Sequence, residues 1–414
     1  MVNFKPFKGL HVKEENINKF PMYSPEIYTE AEIKSKLRGK KISYIDVIRA
    51  TFARGEAPLS ARFKKVRKRF EEYLEQQVLE QDAAAIYIYE QKKPNGDTFG
   101  GVIGLVSVDD FKNMNIKASE DIVEEKQKVF CQFLDIVRFQ SNPVLLVHES
   151  NPKLEVMTEL EKKSKPIIYL TDDFGIIHKM WKIENRLKLS QFKETIEKIP
   201  EVYLADGTYR VAGSVAHSET VRKKGKGKGK DFLWDYDHYV MALMTSHQSF
   251  KISEYNRLIK SIGMTEEEFL EKLAEHFTIN FKGTTPYFPS QKHHISMYLD
   301  GEFYGLYIKH EYRGKPEGVG NLDAYLFEKY LLSLILQMKE NDKRISFIKG
   351  TGNMDGILDL KKAVDNGEYK AGFGFYPAPL PDLQKVADLG LKMPRRTAYV
   401  EPKLLSGLII FDMK

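Results

Sequence analysis

Val202-Tyr203-Leu204-Ala205-Asp206-Gly207-Thr208-Tyr209-Arg210 reads as an apolar strand that ends at a carboxylate, turns on a glycine and enters a helix. Strand character covers Glu201–Ala205 and helical character Val211–Val221, with Gly207 permitting the tight turn between them. A strand–turn–helix of this kind aims backbone N–H groups at the helix N-terminus, where an anion is stabilised. Arg210, one turn in, adds a forked donor that is always charged, and Thr208 adds a hydroxyl. Asp206 can be read as a metal ligand, a proton acceptor or a cap of the helix, and spacing alone favours the cap.

Working outward, Ala61–Glu80 carries Val66, Phe70, Tyr73, Leu74 and Val78 at helical spacing, which puts its basic residues on a solvated face. Strands are expected at Ala85–Glu90, Gly101–Val108, Val144–Val147 and Ile167–Leu170, the first two joined by a hairpin turn at Asn95-Gly96-Asp97. Helices are expected at Glu120–Val137 and Leu187–Ile199. Downstream come a strand at His238–Thr245, a helix at Glu266–His276 and a hairpin of Ile295–Leu299 with Tyr304–Lys309 around Asp300-Gly301. Leu322–Met338 reads as a long apolar-rich helix. Strand and helix then alternate through Ile345–Ile348, Met354–Val364, Gly372–Tyr376 and Leu380–Leu389, and Leu404–Phe411 closes as a strand. The mixture predicts an α/β (mixed α+β) protein rather than a bundle or a sandwich.

The low-complexity stretch Lys223–Lys230 alternates Lys and Gly but is not a Walker-type phosphate loop: Asp231 follows Lys230 where Ser or Thr is needed, and no strand leads in. It reads as a basic linker between an N-terminal lobe, 1–222, and a C-terminal α/β lobe, 231–414.

At 414 residues with 42% hydrophobic and 29% charged, the chain falls outside the disordered and fibrous classes. No segment approaches the ~20 apolar residues of a membrane-spanning helix. Met1–Pro6 lacks the apolar core of a signal peptide. The single cysteine, Cys131, excludes an intrachain disulfide and fits a reducing compartment, so the cytoplasm is expected; its neighbours Phe130, Phe133 and Leu134 suggest a helix core. A net charge of +6 permits a polyanionic partner without requiring one, and the aromatic residues do not interleave with basic ones as in a single-strand nucleic-acid platform. There is no zinc-type Cys/His spacing and no Gly-x-Ser-x-Gly elbow.

Ala205-Asp206-Gly207-Thr208-Tyr209-Arg210 resembles the A-D-G-H-H-R core of the family called domain of unknown function 1015. Met393-Pro394-Arg395-Arg396-Thr397-Ala398-Tyr399-Val400-Glu401-Pro402-Lys403-Leu404-Leu405-Ser406-Gly407-Leu408 resembles its M-P-x-K-S-T-Y-x-x-P-K-L-x-x-G-L ending, and Phe4–Leu10 its opening. Ile116–Ile122 is similar to a family pattern close to I-K-x-H-E-x-T, with Glu120 kept, and Asn256-Arg257 to an H-R pair. The family's turn is in turn similar to a signature of the ParB/sulfiredoxin superfamily, whose members include sulfiredoxins, CTP-hydrolysing partition proteins and free-serine kinases.

The resemblance implies a ParB/sulfiredoxin-like N-terminal region with a second α/β lobe. It implies a nucleotide site with Gly207, Thr208, Tyr209, Arg210, Arg257 and Arg396 holding phosphate, and Glu120 and Asp206 as catalytic carboxylates. Mg²⁺ with ATP or ADP is the implied cofactor set, and a small hydroxylated metabolite, serine among them, the implied phosphate acceptor. Thr208, Tyr209, Ser119 and Asn256 stand where the family has histidines, and tyrosine cannot supply an imidazole's near-neutral proton transfer. A binding-only protein with an eroded site is therefore the competing expectation. A DNA-associated ParB-like protein is a weaker third, suggested by Lys223–Lys230. Arg395, Arg396 and Lys403 are read either as a further anion contact or as a solvated loop.

Overall fold

The apolar run Val144–His148 is buried along its whole length, as a strand covered on both faces must be. The computed structural model describes residues 1–39, 42–52, 57–225, 236–314, 318–339 and 342–414. These divide into two units: unit 1 is Met1–Ala118, Ile122–Phe250 and Pro402–Lys414, and unit 2 is Ser119–Asp121 and Lys251–Glu401. Residues 226–230 of the expected basic linker lie outside the described residues. Helices and sheets occur in both units, so the fold is mixed α/β as expected. Among the described residues, no helix is long and apolar enough to cross a membrane.

Unit 1 is organised by a sheet whose main path runs Ile116–Ala118, Val202–Asp206, Val144–His148, Tyr239–Ser246, Thr98–Ser107, Leu79–Lys92, Phe7–Val12, Ile410–Asp412 and Phe139–Gln140. Val202–Asp206 runs parallel to Ile116–Ala118 and antiparallel to Val144–His148. Val202 and Leu204 join Val144, Leu146, Ala242 and Met244 in one core, with Phe192 and Ile196 from the helix Arg186–Glu197. The helix Thr208–Lys223 buries the small residues Ala212, Gly213 and Ser214. They let the helix Glu124–Val137 approach closely: a Cβ on Gly213 would stand 2.9 Å from Phe130 Cδ1.

Two expectations are corrected in this unit. The helix expected at Ala61–Glu80 spans Leu59–Glu75, and of its basic residues Arg67 is the exception to a mostly outer face. Arg67 is buried and donates to the Asp412 carboxylate at 2.9 Å and to Val137 O at 3.2 Å, because that face of the helix meets the C-terminal strand. The strand expected over Leu404–Phe411 is regular only at Ile410–Asp412; Ser406 makes an isolated bridge to Met22, and the chain turns at Gly407, where φ is 78°. Ile410–Asp412 lies between Phe7–Val12 and Phe139–Gln140, and Phe411 packs its ring on Phe7 and Tyr236 at 5.6 and 5.1 Å.

Unit 2 is an antiparallel sheet in the order Phe277–Gly283, Glu302–Ile308, His294–Leu299, Ala371–Phe375, Lys251–Ile259, Ile345–Lys349, with Ala398–Glu401 also on Lys251–Ile259. Its inner strand Lys251–Ile259 buries Ser253, Glu254, Asn256 and Arg257. The long helix expected over Leu322–Met338 is instead a short α-helix, Asp323–Leu326, continued by a π-helix, Phe327–Ile335. Its wider winding, with Leu336 N–H donating to Leu331 O, turns Phe327, Leu331 and Ile335 into the core.

Unit 1 thus closes on its C-terminal strand. Phe411→Ala is expected to cost about 3–5 kcal/mol, the usual range for a fully buried phenylalanine, measured by denaturant unfolding; a loss below ~1 kcal/mol would mean the strand does not anchor the sheet.

Candidate functional site

The strand Val202–Asp206 does not end in regular register. Leu204 pairs with Leu146 and Asp206 with Leu145, leaving Ala205 as the extra residue of a bulge. A bulge re-aims the residue after it, here the Asp206 carboxylate. Gly207 follows as the N-cap, with φ 104° and ψ 23°. A side chain there would meet both strain and crowding: a Cβ would stand 2.6 Å from Val144 Cγ1 and 2.8 Å from Arg210 Nη2. The helix begins at Thr208, and its first bonds run from Arg210 and Val211 N–H to Gly207 O at 2.9 and 3.0 Å.

Gly207 at the N-cap has no side chain to cap the helix, and the Asp206 carboxylate beside it takes the Gly207 N–H. The same carboxylate accepts a hydrogen bond from Lys403 Nζ at 3.0 Å. Burial pushes the Asp206 carboxyl up, but the Lys403 ammonium and the Arg210 guanidinium outweigh it. With hydrogen bonds from Lys403 and the Gly207 N–H, they hold it below the ordinary carboxylate value. A carboxylate held low is a weak base at neutral pH. Lys403, read from sequence as a possible anion contact, is engaged by Asp206.

Beside this turn lies a groove of about 510 Å³, with Tyr209 and Arg210 in its lining. Arg210 donates through Nη2 to Pro143 O at 3.3 Å, while its Nε is buried with no hydrogen-bond partner. Phe130 and Phe133 stack at 5.7 Å, and Tyr209 meets Phe130 edge-on at 5.9 Å. Lys126 and Arg210 each place a cation near the Tyr209 ring, at 5.5 and 5.6 Å from its centroid. Tyr44 is hydrogen-bonded to Ser141, and burial pushes its phenol up to about 12, so it stays protonated. Phe130 and Phe133 read from sequence as core neighbours of Cys131; both line the groove instead. The walls come from segments far apart in the chain, so no local motif announced them.

The remaining expected residues belong to unit 2. Glu120 falls in its Ser119–Asp121 segment, whose backbone pairs with Met393. Arg257 is buried in the strand Lys251–Ile259. Arg396 lays its guanidinium over Phe347 and Tyr255, at 4.8 and 5.7 Å from the ring centroids. The structure therefore groups Asp206, Gly207, Thr208, Tyr209 and Arg210 in one unit, and Glu120, Arg257 and Arg396 in the other.

Among the described residues no group of three or more His, Cys, Asp or Glu could hold a metal. Asp206 is neutralised by Lys403, and the carboxylate among the described groove residues is Glu125. Magnesium at a nucleotide site takes most of its octahedral oxygen shell from waters and phosphates, with one or two carboxylates from the protein.

Fold and site together define a mixed α/β protein with a strand–bulge–turn–helix beside an aromatic groove. The chain belongs to the family described as Protein of unknown function (DUF1015), whose model matches residues 4–325. The resemblance at Met393–Leu408 lies beyond the matched residues. No curated protein matches the chain. Similar solved structures include a free serine kinase in complex with AMP, at 12% identity and a TM-score of 0.35 over 72% of this chain and 87% of that one. A conserved hypothetical protein from Pyrococcus furiosus matches at 13% identity and 0.34, over 72% and 90%. SbnI with a C-terminal truncation, from Staphylococcus aureus, matches at 10% and 0.37, over 73% and 85%.

The Asp206–Lys403 pair sets a pH dependence. Because the folded-state pKa lies below the ordinary value near 3.9, the pair contributes its full stability above that value and loses it as pH falls through the folded-state pKa. Solvent screens the pair, since the two side chains are 36% and 24% exposed. In Lys403→Met the Asp206 carboxyl is expected to titrate at higher pH, followed by carboxyl carbon NMR; an unmoved titration would assign the depression to Arg210 and the Gly207 amide.

Proposed function

We propose that unit 1 binds a nucleoside phosphate in the groove beside Tyr209 and Arg210, and that the protein uses it to phosphorylate a small hydroxylated metabolite such as serine. The observation that carries this reading is Arg210, which lines a groove of about 510 Å³ beside the first turn of a helix and has its Nε buried without a hydrogen-bond partner. Arg210 and the start of the helix Thr208–Lys223 hold the phosphate, while the Gly207 amide is committed to the Asp206 carboxylate. The stacked Phe130–Phe133 wall receives the base. The resemblance of this turn to the ParB/sulfiredoxin signature supports the same assignment.

Phosphoryl transfer asks for positioning and charge neutralisation more than for covalent chemistry from the protein. The acceptor hydroxyl oxygen forms the new bond to phosphorus, the bond to the departing nucleotide breaks, and the hydroxyl proton passes to a carboxylate. Asp206, held ionised by Lys403, is suited to positioning, and the base role is proposed for Glu120 from its match to the family pattern. The competing reading is a binding-only protein. It is favoured by the engagement of Asp206 with Lys403 and by Thr208 and Tyr209 in place of histidines.

In thermal unfolding, ATP, ADP or CTP at about 100 times its dissociation constant is expected to add roughly 2.7 kcal/mol, and Arg210→Ala to abolish the shift. No shift with any of the three in a cooperatively melting protein removes the nucleotide reading. If ATP or ADP binds, serine phosphorylation is expected, with Glu120→Gln lowering turnover by about 10²–10⁴-fold. Binding without turnover selects the binding-only protein, and unchanged turnover in Glu120→Gln takes Glu120 off the catalytic list.

A further inference from the structure

A second opening in unit 1, of about 500 Å³, lies against the helix Leu59–Glu75. Ala61, Lys65 and Arg69, each four residues after the last, share one face of that helix and line it, as does Arg62. Val47 and Ala50 add small apolar surface from the segment before, and Arg49 a fourth cation. Arg62 also lines the groove of Tyr209 and Arg210, so the two spaces share a wall. A guest of this pocket therefore lies next to a guest of the groove.

Charge decides what such a guest carries. Among the described lining residues, four cations stand against a single carboxylate, Asp46. That carboxylate is already engaged on both oxygens. It accepts from Arg69 Nε at 2.7 Å and from the Tyr73 hydroxyl at 3.0 Å, and Arg49 Nε lies 3.3 Å from its other oxygen. Arg49 and Arg69 are themselves partly committed, through Nη2 to Leu37 O and through Nη1 to Glu72, each at 2.7 Å. Lys65 is exposed and makes no ion pair among the described residues, so its charge is within reach of an entering ligand. An ammonium on the guest would need a carboxylate, and the one lining the pocket is taken. A carboxylate on the guest meets a surplus of positive charge.

We infer that this pocket holds the phosphate acceptor, and that the preferred acceptor is an anionic hydroxy acid, ahead of a zwitterion such as serine. The inference rests on the nucleotide reading of the groove. Lys65 meets the acid group, the carbon skeleton packs on Val47, Ala50 and Ala61, and the hydroxyl end lies toward Arg62 and the shared wall. In the transfer the hydroxyl oxygen bonds to the terminal phosphorus of the nucleotide and the bond from that phosphorus to the departing nucleotide breaks. The hydroxyl proton passes to the carboxylate base, and the acid group of the acceptor stays ionised on Lys65.

The test is ligand-observed saturation-transfer NMR on the full chain with two probes of one skeleton: β-hydroxybutyrate and its diol analogue, in which CH₂OH replaces the carboxylate. Saturation is expected to reach the β-hydroxybutyrate methyl, with the diol bound about tenfold or more weakly, the scale of one charged contact. Lys65→Glu, at an exposed position outside the groove lining, is expected to weaken β-hydroxybutyrate by a similar factor. It is expected to leave the diol and the nucleotide-induced thermal shift unchanged. With ATP, kcat/KM for β-hydroxybutyrate is expected to exceed that for serine by about tenfold. The inference is overturned by no transfer to β-hydroxybutyrate at tens of millimolar, by equal transfer to the diol, by undiminished binding in Lys65→Glu, or by serine as the better acceptor. In each of these cases a persisting nucleotide shift leaves the reading of the groove standing. Absence of that shift removes the reading instead, and the acceptor role falls with it even where β-hydroxybutyrate binds.

Discussion

The candidate site in unit 1 depends on one ion pair, Lys403 with Asp206. A carboxylate partly buried at the start of a helix demands a counter-charge. Arg210 is close enough to supply it, but a guanidinium spent on Asp206 would have little left for a guest. Lys403, 197 residues further along, meets the demand with a direct hydrogen bond, and Arg210 keeps its Nε unengaged. The bulge at Ala205 and the left-handed Gly207 are the backbone side of the same arrangement. The first turns the carboxylate, and the second leaves space that Arg210 Nη2 fills.

Both units solve a similar problem with arginine. Arg210 and Arg257 each commit part of the guanidinium to a backbone carbonyl, each rests against aromatic rings, and each retains a buried unpartnered Nε. What differs is the space in front: a groove of about 510 Å³ beside Arg210 and a cavity of about 20 Å³ beside Arg257.

Much of this was legible from local pattern. The strand–turn–helix at Asp206–Arg210, the hairpins at Asn95–Asp97 and Asp300–Gly301 and the helix Glu266–His276 obey short-range rules of period, turn chemistry and capping, and the structure follows them. What escaped depends on long-range placement. The inner strand Lys251–Ile259 carries Glu254, Asn256 and Arg257, so it has no apolar alternation to betray burial. The bulge at Ala205 follows from pairing with Val144–His148, and Lys403 as the partner of Asp206 could not be read from spacing. The π-winding of Phe327–Ile335 is set by what packs around it, while its sequence reads as an ordinary apolar helix. The groove aromatics, from Phe63 to Phe133, share no local motif.

The strand Ile410–Asp412 also fixes an order of events during synthesis. Residues 251–401 emerge from the ribosome before it and, apart from the short Ser119–Asp121 segment made earlier, contain all of unit 2. That stretch can fold while the sheet of unit 1 still lacks the strand between Phe7–Val12 and Phe139–Gln140. Until Ile410–Asp412 is in place, Phe7–Val12 presents an unpaired edge of the kind that chaperones shield and that neighbouring nascent chains can capture. Unit 1, most of which precedes unit 2 in the chain, therefore completes its sheet only after the residues of unit 2 have been made.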